Sequence, residues 1–317
     1  MKYIVNDCTD AQWNMAHDEF LLEGVDDTVF SLWQNAPAVI IGLNQSAYAE
    51  VNLPYLQERG IMLARRVTGG GAVYHDLQNL NYSIAGPLKA MENALDLVPA
   101  ALRQLGAPVE RSGRNDLTVE GRKCSGYAKR LSKDRMMIHG TLMWDVDIDT
   151  LTEVLRVPGS KVDAAGVASV RSHVGNLKGW LPQFGDIKEF QAALHGLLAG
   201  DDAEIPVSPA QKADIDRQYR EKFSTWDWVY GHSPAARFQK RKKFACGTVE
   251  IHYCLRNGCL AEVGFGGDFI GNRPADELAA RLTGLRLEDL PGIGVADYFD
   301  NLSVADFLTL FDQASAL

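Results

Sequence analysis

Residues 65–76 read RRVTGGGAVYHD. Three consecutive glycines weaken any regular element that contains them, so the backbone here comes close to something. Exposed backbone N–H groups in such a loop cradle phosphate or carboxylate oxygens. The adjacent Arg65 and Arg66 supply charge and forked donors for the same anion. The plainer alternative is a flexible loop beside a surface arginine pair. The run is not a P-loop, because no Gly-Lys-Ser/Thr follows at the required spacing. Nor is it a dinucleotide fingerprint, which needs G-x-G-x-x-G. A strand, IMLAR at 61–65, leads into the triplet, so the loop sits at a strand end.

Around this loop the chain alternates helix and strand signals. Thr9 or Asp10 caps a helix through Trp13, Ala16, Phe20 and Leu21 to about Gly24. VFSLW at 29–33 and AVIIG at 38–42 read as strands on either side of the Asn35-Ala36-Pro37 turn. A short helix near 53–59 ends at Gly60, and another at about 93–105 stops at Gly106. Strands are expected around Val109, at DLTV 116–119 and at MMIHGTLMW 136–144, with Glu120-Gly121 as a tight hairpin turn. Helices near 186–199 and 208–223 complete this unit. GHSPAARFQKRKK at 231–243 reads as a linker or exposed edge. Two strands about Arg256-Asn257-Gly258 and helices at 274–283 and 303–313 follow. The expected domains are therefore 1–236 and 237–317, the second with a small α/β core of its own.

A second informative segment is SGRNDLTVEGRKCSGYAKR, residues 112–130. Between 108 and 135 stand eight basic side chains (Arg111, Arg114, Arg122, Lys123, Lys129, Arg130, Lys133, Arg135) against four acidic ones. Such a local excess suits a polyanion such as a nucleotide, although most of these side chains read as solvated strand faces. Lys123, flanked by Gly121 and Gly126, is the exception: a compact ammonium there can bridge an acyl carbonyl and a phosphate. Asp116 beside Asn115 either holds magnesium, which takes one or two carboxylates plus substrate phosphates, or stabilises a turn. Cys124 has a basic neighbour that favours thiolate, yet alternation puts it on the face opposite Lys123, where it reads as a small core residue. His75 and His139 lack a second ligand at metal spacing, so a zinc site is not expected. No G-x-S-x-G elbow marks a serine hydrolase.

The 317 residues are 46% hydrophobic and 23% charged, a globular composition with net charge −9, which argues against a generic nucleic-acid binder. No apolar run reaches the roughly 18 residues of a membrane span. The start MKYIVNDCTD has no secretory pattern. Five cysteines, none in a CxxC pair, fit reduced thiols and a cytoplasmic protein.

With both segments in hand, the chain resembles the bacterial lipoate–protein ligases. Their pattern of two arginines, three glycines and a later His-Asp matches Arg65, Arg66, Gly69, Gly70, Gly71, His75 and Asp76. Their Asn-Asp and Lys-x-Ser-Gly match Asn115, Asp116, Lys123, Ser125 and Gly126. HGTL at 139–142, SVRSHVGNL at 169–177 and NMAHDE at 14–19 fall in family order, and TWDWVYGHSP through EIHYCLRNG to GDFIG resembles the accessory domain of the longer ligases. Thr68 stands where many relatives carry Ser, and Cys124 where the residue is commonly aliphatic.

The resemblance implies an α/β (α+β) fold: a large mixed-sheet catalytic domain of the biotin/lipoyl ligase type plus a small C-terminal accessory domain. It implies ATP, Mg2+ and lipoate, formation of lipoyl-AMP, and transfer to one lysine of lipoyl carrier domains. Those carriers belong to 2-oxoacid dehydrogenase complexes and to glycine cleavage; no nucleic acid and no membrane are implied. Carried over by position, Lys123 is catalytic; Arg66, Gly71, Ala72, Val73, Tyr74 and Lys123 bind ATP or lipoyl-AMP; Gly69, Gly70, Gly71, His75, Lys123 and Gly126 bind lipoate; Asp116 takes the metal. The alternatives are an ATP-independent octanoyl or lipoyl amidotransferase using Cys124, a biotin ligase, and a non-catalytic lipoate-binding protein.

Overall fold

The computed structural model describes residues 1–113, 115–155, 173–233, 235–311 and 315–316. Of the segments above, Arg114, residues 169–172, Pro234 and residues 312–313 lie outside the described residues. In chain order the strands are β1 (Lys2–Tyr3), β2 (Val29–Trp33), β3 (Ala38–Ile41), β4 (Met62–Arg65), β5 (Val73–His75), β6 (Asn79–Pro87), β7 (Glu110–Ser112), β8 (Asp116–Val119), β9 (Arg122–Ser132), β10 (Arg135–Met143), β11 (Ala236–Phe244), β12 (Gly247–Arg256), β13 (Cys259–Gly267) and β14 (Ser315–Ala316). The helices are α1 (Ala11–Glu23), α2 (Ala47–Glu50), α3 (Leu53–Arg59), α4 (Ala94–Gln104), α5 (Ile148–Val154), α6 (Ile187–Ala199), α7 (Pro209–Gln218), α8 (Ala275–Leu282) and α9 (Val304–Leu308).

A seven-stranded sheet runs β1-β2-β6-β10-β9-β8-β7, antiparallel except for the β1–β2 pair. A second sheet, β4-β3-β5, is mixed, and a third runs β13-β12-β11-β14. This is the mixed-sheet α/β architecture expected. The Asp10 carboxylate caps α1 by accepting from the Trp13 N–H at 2.9 Å. Nearly every turn of α1 is buried on both sides, because it packs against β4, β6 and β10 together. Asp18 and Met15 are thereby carried into the interior.

Behind the large sheet, α4 and α6 cover a core of Phe30, Tyr82, Ile84, Leu102, Ile138, Trp144, Phe190 and Leu194, with Trp144 stacked on Phe190 at 4.9 Å. Each such side chain contributes about 1.5–3 kcal/mol by leaving water. Strand β6 was not foreseen in the sequence. Its alternate residues Asn79, Asn81 and Ser83 are polar yet buried, on the face opposite Leu80, Tyr82 and Ile84. A pattern read for hydrophobicity takes such a strand for a loop.

The basic run at 237–243 is not a linker. It lies in the regular strand β11, paired with β12 along nine positions, and Asn257-Gly258 turns β12 into β13 with both residues at positive φ. The C-terminal sheet does not keep a core to itself either. Phe238, Val249, Tyr253 and Phe299 share one continuous buried cluster with Val39, Ile41, Leu63 and Tyr74 of the small sheet. Among the described residues, no helix is long and apolar enough to cross a membrane.

Candidate active site

One cavity brings most of the expected residues together. It is lined by Arg66, Gly70, Gly71, Ala72, Val73, His75, Lys123 and Gly126, joined by Met15, Trp33, Ile40, Asn81, Tyr127 and His139. About 110 Å³ of it is open to the centre of a water molecule. Gly69 and Tyr74 do not line it: the Tyr74 side chain, next along β5, turns to the opposite face and packs in the cluster shared with the C-terminal sheet.

The two arginines part company because they are consecutive at the end of an extended strand and so face opposite ways. Arg65 is wholly buried and donates to the carbonyls of Gly42, Gln45 and Val229 and to the Ser233 hydroxyl, at 2.6–3.0 Å. It clamps the chain at 42–45 to the segment at 228–233 and takes no part in the cavity. The expectation that both arginines serve one anion therefore fails for Arg65, whose donors are taken by backbone carbonyls and Ser233.

Arg66 organises the glycine loop. Its Nε donates to Thr68 Oγ1 at 3.0 Å, its Nη1 to the Ile40 carbonyl at 3.0 Å, and its Nη2 to the carbonyls of Gly69 and Gly71, each at 2.8 Å. Peptide units are trans here, so a carbonyl aimed at Arg66 turns the next N–H the other way. The N–H groups of Gly70 and Ala72 are thus freed from the guanidinium side. Burial lowers the Arg66 pKa to about 10, which leaves it charged at neutral pH. Only Gly70 needs its glycine for backbone reasons, at φ +98°; a Cβ on Gly69 or Gly71 would meet nothing within 4 Å.

Lys123 reaches the cavity by a bulge. Thr118 pairs with Lys123 and Leu117 with Ser125, leaving Cys124 as an extra residue in β9. Strict alternation would put Lys123 on the face of Ser125; the bulge puts it on the face of Asp116 and Gly126. The ammonium lies 2.8 Å from the Asp116 carboxylate, and a Cβ on Gly126 would come within 3.1 Å of Lys123 Nζ. Glycine there makes room for the lysine stem. Gly175 N–H donates to the Lys123 carbonyl at 2.9 Å, so the end of the 169–177 motif lies beside this strand.

Cys124 is buried in the core behind the sheet, its Sγ donating to the Leu117 carbonyl at 3.4 Å. Burial pushes its thiol up to about 12, so it is no thiolate at neutral pH. His75 is also buried; desolvation, reinforced by Arg66 and His139, pulls it down to about 3, a neutral imidazole. Its Nδ1 is 2.9 Å from the Asn35 amide, while His75 Nε2 and Asn81 Nδ2 have no hydrogen-bond partner among the described residues. A donor left bare in a cavity wall is available to a ligand. Sequence reasoning did not single out Asn81, Trp33 or Met15; the only signal for them is the buried polar alternation of β6 and the NMAHDE run.

Comparisons with known proteins identify the family. The model of the lipoyl protein ligase A/B catalytic domain matches residues 10–198, and that of the bacterial lipoate protein ligase C-terminus matches 233–311. The chain is 34% identical to the lipoate-protein ligase LplJ of Bacillus subtilis, covering 95% of this chain and 96% of that one. It is 33% identical to lipoate–protein ligase 1 of Staphylococcus aureus, over 90% of each. Among solved structures, a bi-partite lipoate protein ligase from Thermoplasma acidophilum, described with its E2 lipoyl domain, superposes with TM-score 0.67 at 27% identity, covering 74% of this chain and 97% of that one. A lipoate-protein ligase A bound with ATP gives 0.63 at 27%, covering 73% and 98%. Two family models in order, and relatives matched from end to end, show that the chain belongs to the lipoate–protein ligases.

Proposed function

We propose that this chain activates lipoate with ATP and transfers the lipoyl group to a lysine of a lipoyl carrier domain. One observation carries the reading: a single cavity joins an apolar wall of Met15, Trp33, Ile40 and Val73 to Lys123 and to the Arg66-held glycine loop. The acyl chain takes the apolar wall, with His75 and Asn81 as donors along it. In the first step a carboxylate oxygen bonds to the α-phosphorus, the bond to the bridging oxygen breaks, and pyrophosphate leaves. Lys123 and the loop N–H groups face the charge that gathers there. In the second step the carrier amine attacks the acyl carbon, AMP departs with the carboxyl oxygen, and the amine loses its proton.

Asp116 is the carboxylate of this chain that would hold Mg2+; a third exposed and paired with a single ammonium, it suits a cation arriving with phosphates. The carriers are those of 2-oxoacid dehydrogenase complexes and glycine cleavage, the setting is the cytoplasm, and neither nucleic acid nor membrane takes part. Catalysis lies in residues 1–236, with 237–317 as an accessory unit. The thioester alternative is not favoured, because Cys124 is buried away from the cavity as a thiol. The test mixes ATP, lipoate and an apo carrier domain and weighs the carrier. A lipoyl mass gain that requires ATP supports the reading; no gain, or gain without ATP from an acyl carrier, refutes it.

A further inference from the structure

Behind the glycine loop lies a line of buried side chains that none of these steps uses. Asp18 is 1% exposed, yet it pairs with no lysine or arginine in any contact described. Its Oδ1 accepts from the Ser83 hydroxyl at 2.5 Å, and Ser83 accepts from Trp33 Nε1 at 3.0 Å. Its Oδ2 lies 2.6 Å from His139 Nδ1. His139 Nε2 lies 2.7 Å from Thr68 Oγ1, which accepts from Arg66 Nε at 3.0 Å.

The ends of this line fix the sense of its hydrogen bonds. Arg66 only donates, so Thr68 accepts from it at 3.0 Å. A carboxylate only accepts, so His139 Nδ1 donates to Asp18 Oδ2. The contact of Thr68 Oγ1 with His139 Nε2 at 2.7 Å joins the two ends, so that a buried guanidinium and a buried carboxylate are linked through hydrogen-bonded side chains.

We propose that Asp18, His139 and Thr68 form a positioning relay that holds Arg66, and through it the 68–71 loop, in the shape that receives the anion. The proposal rests on the reading of that loop as the phosphate and carboxylate site. Without the relay, the Nε end of the guanidinium keeps only its 3.2 Å contact to the Gly69 carbonyl, and the Gly69 and Gly71 carbonyls lose a fixed donor. Asp18 and Thr68 do not line the cavity; His139 does, and the role assigned to all three here is to position Arg66.

Two substitutions test the relay from opposite ends. Asp18→Asn offers His139 an amide that can donate to Nδ1 and move the ring proton to Nε2, as a carboxylate-to-amide change does in serine proteases. Thr68→Val removes the hydroxyl at nearly constant shape, and Thr68→Ser restores it. Long-range proton–nitrogen spectra of the imidazole should show a proton on Nδ1 in the wild type and its loss from Nδ1 in Asp18→Asn. Amide exchange at residues 69–71 should accelerate in Asp18→Asn and Thr68→Val. In lipoate-dependent ATP–pyrophosphate exchange, the KM for ATP should rise about tenfold in both, the worth of one hydrogen bond to a charged group, with a much smaller fall in kcat. Thr68→Ser should recover most of what Thr68→Val loses.

Unchanged loop exchange and KM in Thr68→Val would overturn the relay, as would a Thr68→Ser variant impaired as badly as Thr68→Val. A wild-type protein that performs no lipoate-dependent exchange would instead overturn the functional reading. Loop amide exchange and the tautomer would still decide the relay, since neither needs turnover.

Discussion

Adding one methyl group at Gly71 separates what the loop does for the ligand from what it does for the fold. A Cβ at Gly71 meets nothing within 4 Å, and the residue does not sit at positive φ. Gly71→Ala should therefore change stability by no more than about 0.5 kcal/mol, the usual range for an unobstructed surface substitution. A ligand lying against the loop would meet that methyl group. Overpacking a fitted contact costs about 1–3 kcal/mol, so the Kd for ATP or a lipoyl-AMP analogue should rise roughly 5- to 150-fold. Gly70→Ala is the contrast. It forces a side chain to φ +98° and puts a Cβ 2.9 Å from Arg66 Nη2, so it should lower both the melting temperature and affinity. Calorimetric titration and thermal scans on the two variants give the four quantities. Wild-type affinity in Gly71→Ala would refute close approach of the ligand at that residue. A melting temperature lowered equally by both variants would mean that the triplet serves folding.

Lys123→Ala should slow adenylation by about 10²–10³, the cost of removing one group aimed at developing charge. Its ion pair with Asp116, each side chain about a third exposed, is worth only about 0–1 kcal/mol, so thermal scans should find the fold intact; near-normal lipoyl-AMP formation would remove Lys123 from the mechanism. Gly126→Ala should push the ammonium aside and lose up to about 10² in kcat, the order of effect a 1 Å misplacement produces; unaltered kcat would mean the lysine is not held there. Cys124→Val should keep most ligation activity, whereas loss of activity with a trapped thioester on the wild type would revive the amidotransferase. Reversing Arg241 and Lys243 on β11 should slow transfer to an acidic carrier at low salt only, since screening shortens the reach of charge to about 8 Å at physiological ionic strength; no change at either salt would place the carrier elsewhere.

The sequence disclosed what local chemistry dictates. Asp10 as a helix cap, Gly60 as a helix end and the Glu120-Gly121 and Asn257-Gly258 turns all follow from residues whose backbone preferences are strong. The glycine loop and Lys123 stood out for the same reason. What stayed hidden depends on neighbours distant in sequence. Arg65 and Arg66 look alike until the strand sends one to the carbonyls at 42–45 and the other to the loop. The bulge at Cys124 decides which face Lys123 shares, and alternation alone gives the other answer. Asn79, Asn81 and Ser83 drew no reading as a strand, because nothing local says that a helix and a cavity will cover such polar residues. The charged run at 237–243 read as a linker or exposed edge because the partner that orders it, β12, lies later in the chain.

The most direct test of the account is lipoate-dependent exchange of labelled pyrophosphate into ATP, run without any carrier. The wild-type protein should catalyse exchange only when lipoate is present, and Lys123→Ala should lose it while keeping the wild-type fold. Absence of exchange in the wild type, together with acyl transfer from an acylated carrier in the absence of ATP, would contradict ATP-driven activation at this cavity.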